Sequence, residues 1–309
     1  MPETDNALPA SLEQRLPAVV VNPSRFADLA PVHADITRVC AELGWSAPLW
    51  LETSVEDPGM GQARTALAAG ADVVLACGGD GTIRNVAQIL AGSGTALGLL
   101  PAGTGNLLAR NLAIRLDNTA GATRIALSGE NRPVDVGWVR IDDRAEELVF
   151  LVMAGMGFDA AVMAGAPARL KARVGQLAYF ISGMRALKGP SLRVTLTMDG
   201  EPELRRRVRT VVVGNCGRLL AGLVLMPAAK VDDGLLDVVA IAPKGIIGWL
   251  AVAARVLTRR SGGHPIVEHW QGTAITITAE RPQQAQLDGD PVGKAEMLRM
   301  RVERGALLV

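Results

Sequence analysis

An apolar run at residues 73–77 leads without a break into the segment Gly78-Gly79-Asp80-Gly81-Thr82. The run predicts a buried strand and the pattern after it predicts a helix, so the glycines lie in a strand-to-helix turn. Glycines let the backbone approach a phosphate closely, and the first N–H groups of a helix attract it. A bare carboxylate would repel phosphate, so Asp80 fits if it orients Mg²⁺ between the phosphates, directly or through water. The segment predicts a nucleotide-binding turn; the alternative is an ordinary turn with a capping aspartate.

A second glycine turn, Gly103-Thr104-Gly105-Asn106, follows the next predicted strand. The carboxyl ends of parallel strands meet at one edge of a sheet, where ligands bind. Both turns can therefore line one crevice, into which Thr104 brings a hydroxyl group. Taken alone, this turn is equally consistent with a plain loop. The patterns GxGxxG and GxxxxGK[ST], which mark other nucleotide-binding folds, are absent from the first turn.

The first half of the chain alternates between short apolar runs and segments of helical periodicity. From Ile83 onward, for example, apolar residues recur at the i, i+3, i+4 and i+7 positions of one helix face. The predicted strands are residues 17–21, 47–53, 71–77 and 96–100, and the predicted helices are residues 28–43, 62–69, those from 83 onward and 107–125. This alternation is typical of a doubly wound α/β domain with a parallel sheet.

After about residue 133 the hydrophobic period changes to two residues. Apolar and polar side chains alternate over residues 193–198, 275–278 and 298–303, and further strands are predicted at 208–213 and 235–241. Two helix-like insertions interrupt the pattern, near residues 169–188 and 246–260. The second half therefore predicts a mostly antiparallel β-sandwich.

The chain length of 309 residues is about twice the roughly 150 residues expected of one domain, which indicates two domains. We predict a nucleotide-binding α/β domain over residues 15–133, with 294–309 as a candidate addition to it. The β-sandwich domain is predicted over residues 134–293, and residues 1–14 are predicted to form a flexible tail.

Charge and cysteine content narrow the classes of function. The chain has 32 Lys and Arg against 31 Asp and Glu, and 3% aromatic residues, so neither a basic surface nor stacking platforms for nucleic acid are expected. Its three cysteines form no CxxC pair and its three histidines no HExxH motif, which argues against disulfide frameworks and zinc sites. The polar, acidic amino terminus is unlike a signal peptide, and the longest apolar stretch, residues 246–254, is too short to span a bilayer. We therefore expect a cytoplasmic protein, with a peripheral position on the inner face of the membrane left open.

Several spaced elements resemble the catalytic domain family of diacylglycerol kinases, sphingosine kinases and bacterial lipid kinases. The matching elements are Asn22-Pro23, GGDGT at residues 78–82, PxGTGN at 101–106, GFDA at 157–160, P-A-x-x-DDGxLD at 227–237 and a DGE-like element at 288–290. They keep the family's order over nearly the whole chain, which makes the resemblance far more specific than any one motif.

The resemblance implies ATP as the phosphoryl donor, Mg²⁺ as its companion and a lipid hydroxyl as the acceptor, with the sandwich as the lipid-substrate domain. The positions that match ATP-contacting ones are Asn22, Thr53, Gly78, Gly79, Asp80, Gly81, Thr82, Gly103, Thr104, Gly105 and Asn106. A structural Mg²⁺ site of the family corresponds to the side chain of Asp233 and the backbone carbonyls of Lys230 and Leu235. From the residues alone, an Asp-Gly hairpin turn is the alternative there.

The family's catalytic carboxylate corresponds to Asp290, which would accept the proton of the lipid hydroxyl, with Asp288 as the alternative. Asp80 would hold the phosphates through Mg²⁺. Three positions depart from the family pattern. Asp290 replaces a glutamate and is shorter by about one C–C bond, roughly 1.5 Å. Leu107 replaces an aspartate after GTGN. The family often has NPxSG where this chain reads Asn22-Pro23-Ser24-Arg25, so that glycine is missing and Arg25 would supply charge for phosphate instead.

The resemblance predicts in-line transfer of the γ-phosphoryl group of ATP to a lipid hydroxyl, with diacylglycerol as the first candidate acceptor. The nearest alternative is an NAD kinase-like enzyme, because GGDGT before a β-sandwich resembles that family too, although its NE element is not apparent. A nucleotide-binding regulatory protein without turnover is the alternative from another class.

Basic and apolar residues near 169–188 and 255–260 indicate helices that contact a membrane or simply pack on the sandwich. The sequence leaves open which lipid is used and whether the chain forms a homodimer.

Overall fold

A computed structural model of the protein describes residues 15–114, 118–157, 191–218, 224–243 and 266–309, together with residues 248, 252 and 254. Two sheets organise these residues. Sheet A has four parallel strands with helices on both faces, and sheet B has ten strands that pair antiparallel. This architecture confirms the predicted combination of a doubly wound α/β domain with a mostly antiparallel β domain.

Sheet A and its helices form the first part of the chain. The strands are β1 (Pro17–Val21), β2 (Leu49–Glu52), β3 (Val73–Gly78) and β4 (Ala96–Pro101). The helices are α1 (Ala30–Glu42), α2 (Met60–Ala68), α3 (Asp80–Leu90), α4 (Leu107–Asn111) and α5 (Thr119–Ser128). The strand order is β2-β1-β3-β4.

Strand β1 lies at the centre of the α/β layers, and all of its residues are buried. Ala18 and Val20 pack in a core with residues of α2 and α3, whereas Val19 and Val21 pack in a second core with residues of α1 and α5. Successive side chains of a strand point to opposite faces, so a continuous apolar run is what a sheet covered on both faces requires.

The direction of winding reverses between β1 and β3. Strand β2 pairs with one side of β1 and strand β3 pairs with the other. Loops that leave the carboxyl ends of β1 and β3 therefore diverge, and the crevice between them is where ligands bind in folds of this kind. Both glycine turns lie at this edge, after β3 and β4.

The predicted helix over residues 107–125 is in fact two helices, α4 and α5. Ala113 follows α4 with a φ of 58°, in the left-handed region that a helix cannot continue through. The side chain of Asn118 then accepts a hydrogen bond from the backbone N–H of Gly121 and caps the start of α5. Both helices are rich in apolar residues, so hydrophobic periodicity alone does not separate them.

Sheet B contains the remaining strands. They are β5 (Pro133–Ile141), β6 (Glu147–Phe150), β7 (Met153–Met156), β8 (Leu192–Met198), β9 (Leu204–Val208), β10 (Thr210–Gly214), β11 (Leu236–Ile241), β12 (Val267–Gly272), β13 (Ala274–Leu287) and β14 (Asp290–Leu308). The order is β12-β11-β10-β7-β13-β14-β5-β6, with β8 paired to β13 and β9 paired to β8.

The long strand β13 serves two parts of sheet B. Its residues 275–279 pair with β8 and its residues 285–287 pair with β7, with a register irregularity against β14 between them. The predicted strand over 208–213 corresponds to β10, which begins at Thr210, whereas Val208 is the last residue of β9, a strand that was not predicted. The helix-like insertion at 169–188, most of that at 246–260 and residues 158–160 of the GFDA element lie outside the described residues. Among the helices that are described, none is long and apolar enough to cross a bilayer.

Candidate active site

Loops from β1, β2, β3 and β4 converge at the carboxyl edge of sheet A. The backbone N–H of Asn22, directly after β1, donates to Cys77 O at 2.9 Å, and its side-chain amide lies 3.4 Å from Thr82 Oγ1. The N–H of Ala102, after β4, donates to Gly78 O at 2.8 Å. Thr53, after β2, is buried, and its N–H donates to Val21 O. The structure therefore places the predicted nucleotide-contacting segments along one edge.

The two glycine turns approach each other more closely than side chains would allow. A Cβ added to Gly103 would lie 2.7 Å from Gly79 Cα, and a Cβ added to Gly78 would lie 2.7 Å from Thr82 Cβ. A Cβ on Gly79 would also meet the guanidinium of Arg25 at 3.5 Å. The missing side chains let the two turns pack backbone against backbone, with one arginine beside them.

Asp80 joins the two turns. One oxygen of its carboxylate accepts the N–H of Asn106 at 2.9 Å and the other accepts the N–H of Leu107 at 2.6 Å. Asp80 therefore caps a helix, but the helix is α4 rather than its own. Burial raises the pKa of the Asp80 carboxyl, the Leu107 N–H lowers it, and the negative charges of Asp288 and Asp290 raise it.

The second turn is also tied to itself. The side chain of Asn106, in the left-handed region with a φ of 49°, accepts the N–H of Gly103 at 3.0 Å and donates to Gly103 O at 2.9 Å. Gly105 O accepts a hydrogen bond from Arg110 Nε at 2.8 Å. Thr104 is exposed at the tip of this turn. Leu107 stands where the family often has an aspartate, and its side chain is buried in the apolar core.

Asp288 is enclosed by backbone. Its carboxylate accepts the N–H groups of Leu151, Val152 and Met153 at 3.0, 2.8 and 3.0 Å, and the residue is 5% exposed. Burial raises the pKa of Asp288, whereas the charge of Arg84 and the three N–H groups lower it. This carboxylate holds the loop between β6 and β7 against the β13–β14 turn.

Asp290 has the opposite environment. It follows a two-residue turn, Asp288-Gly289, whose φ values of 50° and 92° suit the tight hairpin connection between β13 and β14. Its side chain is half exposed, and Oδ2 lies 3.2 Å from Arg84 Nη2. A Cβ added to Gly81 would meet the same oxygen at 3.0 Å, so the carboxylate faces the first turn of α3.

Arg84 was not singled out by the sequence analysis, yet it links the two halves of this site. It follows Asp80 by four residues on α3, donates from Nη1 to Leu287 O at 2.6 Å and pairs with Asp290. Residues four apart on a helix share a face, so the sequence could have placed Arg84 on the same face of α3 as Asp80. The sequence could not have identified the partners of Arg84, because they come from the distant β13–β14 hairpin.

The residues assigned to a structural Mg²⁺ site lie on a separate turn, before β11. Gly234 has a φ of 78°, and Asp233 Oδ1 accepts the N–H of Leu235 at 3.1 Å. The N–H of Gly234 donates to buried Asp135 at 2.6 Å, and Asp135 also accepts the N–H of Gly305 at 2.7 Å. The predicted ligands Lys230, Asp233 and Leu235 are therefore not part of the glycine-turn crevice.

A metal ion at this site would depend on few protein ligands. Within the described ranges, no group of three or more His, Cys, Asp or Glu side chains could hold a metal ion. Mg²⁺ at a nucleotide site is commonly held by one or two carboxylates together with phosphate oxygens and water. The single carboxylate of Asp80 would therefore be enough for such a site.

Comparison with known proteins identifies both parts of the chain. Residues 18–139 match the diacylglycerol kinase catalytic domain, and residues 152–309 match the YegS C-terminal NAD kinase beta sandwich-like domain. The chain is similar in fold to a diacylglycerol kinase from Bacillus anthracis str. Sterne, with a TM-score of 0.72, 22% identity and 96% of each chain covered. It is also similar in fold to an NAD kinase from Archaeoglobus fulgidus, with a TM-score of 0.51, 15% identity and coverage of 95% and 92%.

Two curated relatives show how far the sequence similarity extends. A diacylglycerol kinase of Mycobacterium tuberculosis is 35% identical over 174 residues, which is 56% of each chain, so the match spans little more than half of that relative. A lipid kinase of the YegS-like type from Pseudomonas aeruginosa is 34% identical over 253 residues, which is 79% of this chain and 78% of the relative. The chain therefore belongs to the family of diacylglycerol kinases and YegS-like lipid kinases.

Proposed function

We propose that the protein transfers the γ-phosphoryl group of ATP to the hydroxyl of a lipid, with diacylglycerol as the first candidate. The observation that carries this proposal is the position of Asp290. A half-exposed carboxylate faces the first turn of the helix that follows the glycine turn, where a γ-phosphate and an acceptor hydroxyl could meet. Family membership supports a phosphotransferase, and the geometry supports the assignment of roles within it.

The glycine turns and Arg25 would bind the phosphates of ATP. The glycine turn would present to a phosphate the N–H groups at the start of α3, and the guanidinium of Arg25 beside Gly79 offers charge. Thr104 would add a hydroxyl from the rim. In this assignment Arg25 supplies the charge in a chain that lacks the glycine of the family's NPxSG element.

Asp80 is the residue that would hold Mg²⁺. Each of its carboxylate oxygens accepts one N–H group and retains a second acceptor site. The negative charges of Asp288 and Asp290 raise the pKa of Asp80, so a cation would be favoured beside them. Bound there, Mg²⁺ supplies charge neutralisation for the phosphates as the reaction proceeds.

Asp290 would act as the general base. Its carboxylate takes the proton of the lipid hydroxyl while the hydroxyl oxygen forms a bond to the γ-phosphorus. The bond between the γ-phosphorus and the bridging oxygen breaks, and ADP leaves with that oxygen. Asp288 is a poor candidate for this role, because three backbone N–H groups already occupy its buried carboxylate.

The acceptor would be reached at a membrane surface, with the protein peripheral on its cytoplasmic face. An acyl-chain acceptor is held in the bilayer, so the enzyme has to come to it. The basic and apolar segments predicted for this contact lie outside the described residues. The proposal therefore rests on the chemistry of the acceptor and on family membership.

The experiment is a labelled-ATP assay with Mg²⁺ and a lipid extract presented as vesicles, in which the product is identified. We expect one phosphorylated lipid from the wild type. Asp290→Ala should lower kcat by about 10²- to 10⁴-fold, the usual contribution of general-base catalysis, with ATP affinity unchanged. Asp290→Glu restores the family residue and should retain substantial activity.

The matched control is Asp143→Ala, which removes a fully exposed aspartate of sheet B that lies 3.8 Å from an arginine. It should leave kcat unchanged. Full activity in Asp290→Ala would overturn the assignment of the base. In a parallel assay with NAD as the acceptor, a labelled product from NAD and none from lipid would identify an NAD kinase-like enzyme. ATP binding without any product in either assay would identify a regulatory protein.

A further inference from the structure

Helix α3 presents one polar face to sheet B. Gly81 lies against Asp290, Arg84 contacts the β13–β14 hairpin, and Gln88 contacts β6. These positions are spaced by three and four residues, so they form a single stripe along the helix. The same helix begins at the glycine turn, which means that one rigid element connects the nucleotide crevice with the strand that carries Asp290.

Arg84 spans the turn that presents Asp290. Its Nη1 donates to Leu287 O at 2.6 Å, at the end of β13, and its Nη2 lies 3.2 Å from Asp290 Oδ2, at the start of β14. A guanidinium has several donors in a fixed plane, so both contacts are held with one orientation. The Arg84 side chain is 14% exposed, whereas that of Asp290 is 51% exposed. The arginine is therefore the packed partner of the pair and the carboxylate is the one that could move.

A mobile base would lose the geometry that proton transfer requires. The half-exposed Asp290 carboxylate faces the first turn of α3, which begins at the carboxylate of Asp80. Without a counter-charge, repulsion would push the half-exposed Asp290 towards solvent. Misplacement of a reacting group by about 1 Å can cost about 10²-fold in rate.

We propose that Arg84 is a positioning residue for phosphoryl transfer. It holds the Asp290 carboxylate against the first turn of α3 and thereby sets the distance between the base and the glycine turn. The proposal rests on the proposed function, because Asp290 is the general base only in that mechanism. It assigns no contact between Arg84 and ATP.

Gln88 provides a matched comparison. One turn further along the same face, its side-chain amide lies 3.3 Å from Glu147 O, and its Oε1 accepts the N–H of Val149 at 3.2 Å. Gln88 therefore joins α3 to sheet B as Arg84 does, but it does not touch the β13–β14 hairpin. If Arg84 only joined α3 to sheet B, Arg84→Ala and Gln88→Ala would have the same effect on kcat.

The test is a set of full-length variants assayed with labelled ATP, Mg²⁺ and the lipid acceptor, with ATP affinity and melting temperature measured in parallel. We expect Arg84→Ala to lower kcat by about 10- to 10²-fold while the Kd for ATP stays within about twofold. Arg84→Lys keeps the charge but has one ammonium group in place of the planar fork, so it should lose less. Gln88→Ala should lower the melting temperature by a similar amount to Arg84→Ala and leave kcat within about twofold.

The decisive readout is a double-mutant cycle. If Arg84 acts through Asp290, Arg84→Ala should have almost no further effect in an Asp290→Ala background. An equal loss in both backgrounds, or an equal loss of kcat in Gln88→Ala, would make the arginine a structural contact only. A tenfold or greater rise in the Kd for ATP with kcat retained would make it a phosphate ligand. Either result overturns the proposal while leaving the proposed function standing.

Failure of the proposed function looks different. If the wild type phosphorylates NAD and no lipid, the acceptor is wrong, and the same cycle run with NAD still tests Arg84. If the wild type phosphorylates no acceptor, both the function and the positioning role are overturned.

Discussion

At the scale of single residues, two carboxylates of the same turn differ in how many backbone N–H groups they accept, and this difference distinguishes a structural role from a candidate catalytic one. Asp288 accepts three and is buried, so it fastens a loop. Asp290, two residues later, pairs with one arginine and remains half exposed. The sequence DGD offers both as candidates for the base, and their surroundings distinguish them.

Asp199 is a second carboxylate that several hydrogen bonds hold, and it lies outside the candidate active site. It lies in the β8–β9 turn with a φ of 35°, and its carboxylate accepts the N–H groups of Thr273 and Ala274 and the Thr273 hydroxyl. Burial raises the pKa of Asp199, but these hydrogen bonds outweigh it and hold the pKa below its ordinary value. The ionised form is therefore the one that stabilises the fold.

We expect Asp199→Asn to lower the free energy of unfolding at pH 7 by about 1 kcal/mol, because the new amide group faces an N–H donor in place of an acceptor. A lowered pKa contributes stability that is present above the unfolded value and lost as the pH falls through the folded value. The difference between variant and wild type should therefore shrink below about pH 4 in denaturant melts. A difference that stays constant from pH 7 to pH 3 would contradict the assignment.

Asp142→Asn is the matched control. Asp142 also lies in a hairpin turn with a φ of 50°, but both of its N–H partners, Glu296 and Met297, bond to the same oxygen, Oδ1. An asparagine keeps an oxygen at that position and tolerates the left-handed region. This variant should change the free energy of unfolding by no more than about 0.5 kcal/mol.

The site could be predicted from the sequence only in part at this scale. Both glycine turns and the three aspartates were identified from motif and resemblance. Arg84 was missed because its meaning depends on Leu287, 203 residues away, and on Asp290. A local pattern carries no information about which strand folds back onto a helix.

At the scale of elements, the glycine turns work as a pair. Gly79 and Gly103 come from turns after neighbouring strands, and their backbones approach within the space that a Cβ would fill. Asp80 and Asn106 then fasten the turns with hydrogen bonds between them and within the second one. The proposed phosphate-binding surface is therefore a property of two turns held at a fixed separation.

Gly103→Ala tests that separation. The new Cβ would lie 2.7 Å from Gly79 Cα, and because the obstacle is backbone, one of the turns has to shift. We expect the Kd for ATP to rise at least tenfold in direct binding measurements, with far-ultraviolet circular dichroism unchanged. An unchanged Kd would show that the two turns do not act together.

Gly200→Ala serves as the control for a glycine substitution. Gly200 has a φ of +79°, and a Cβ there meets nothing within 4 Å, in a turn of sheet B. This variant should lose about 1 kcal/mol of stability from backbone strain and keep the ATP affinity of the wild type.

The elements themselves were predictable where one physical cause dominated. Strand β1 occupies residues 17–21 as predicted, because a strand covered on both faces must be apolar throughout. The prediction at 107–125 merged two helices, α4 and α5, because the break at left-handed Ala113 is marked by neither a glycine nor a proline. The prediction at 208–213 corresponds to β10 but includes Val208, the last residue of β9, which was not predicted.

At the scale of the whole molecule, the two sheets share one hydrophobic core. Residues of β1, α2 and α3 pack in the same cluster as Val134 and Val136 of β5 and Val212 of β10. The backbone adds to this contact, since the N–H of Gly92 after α3 donates to Ala306 O in β14 at 2.7 Å. A ligand that stabilises one part should therefore stabilise the other.

Asp135 of β5 joins the turn before β11 to β14, so a ligand bound at this turn should stabilise the surrounding fold. If Asp233 holds a structural Mg²⁺ there, as the family resemblance implies, Mg²⁺ without ATP should raise the melting temperature of the wild type. Binding to the folded state alone contributes about 2.7 kcal/mol at a hundredfold excess over Kd. Asp233→Ala should abolish the shift.

Asp232→Ala is the control, since the carboxylate of Asp232, next to Asp233 in the chain, pairs at the surface with Arg132. This variant should leave the shift intact. The same Mg²⁺-induced shift in Asp233→Ala and wild type would mean that this is an ordinary Asp-Gly turn, stabilised by the Asp233 and Asp135 hydrogen bonds alone.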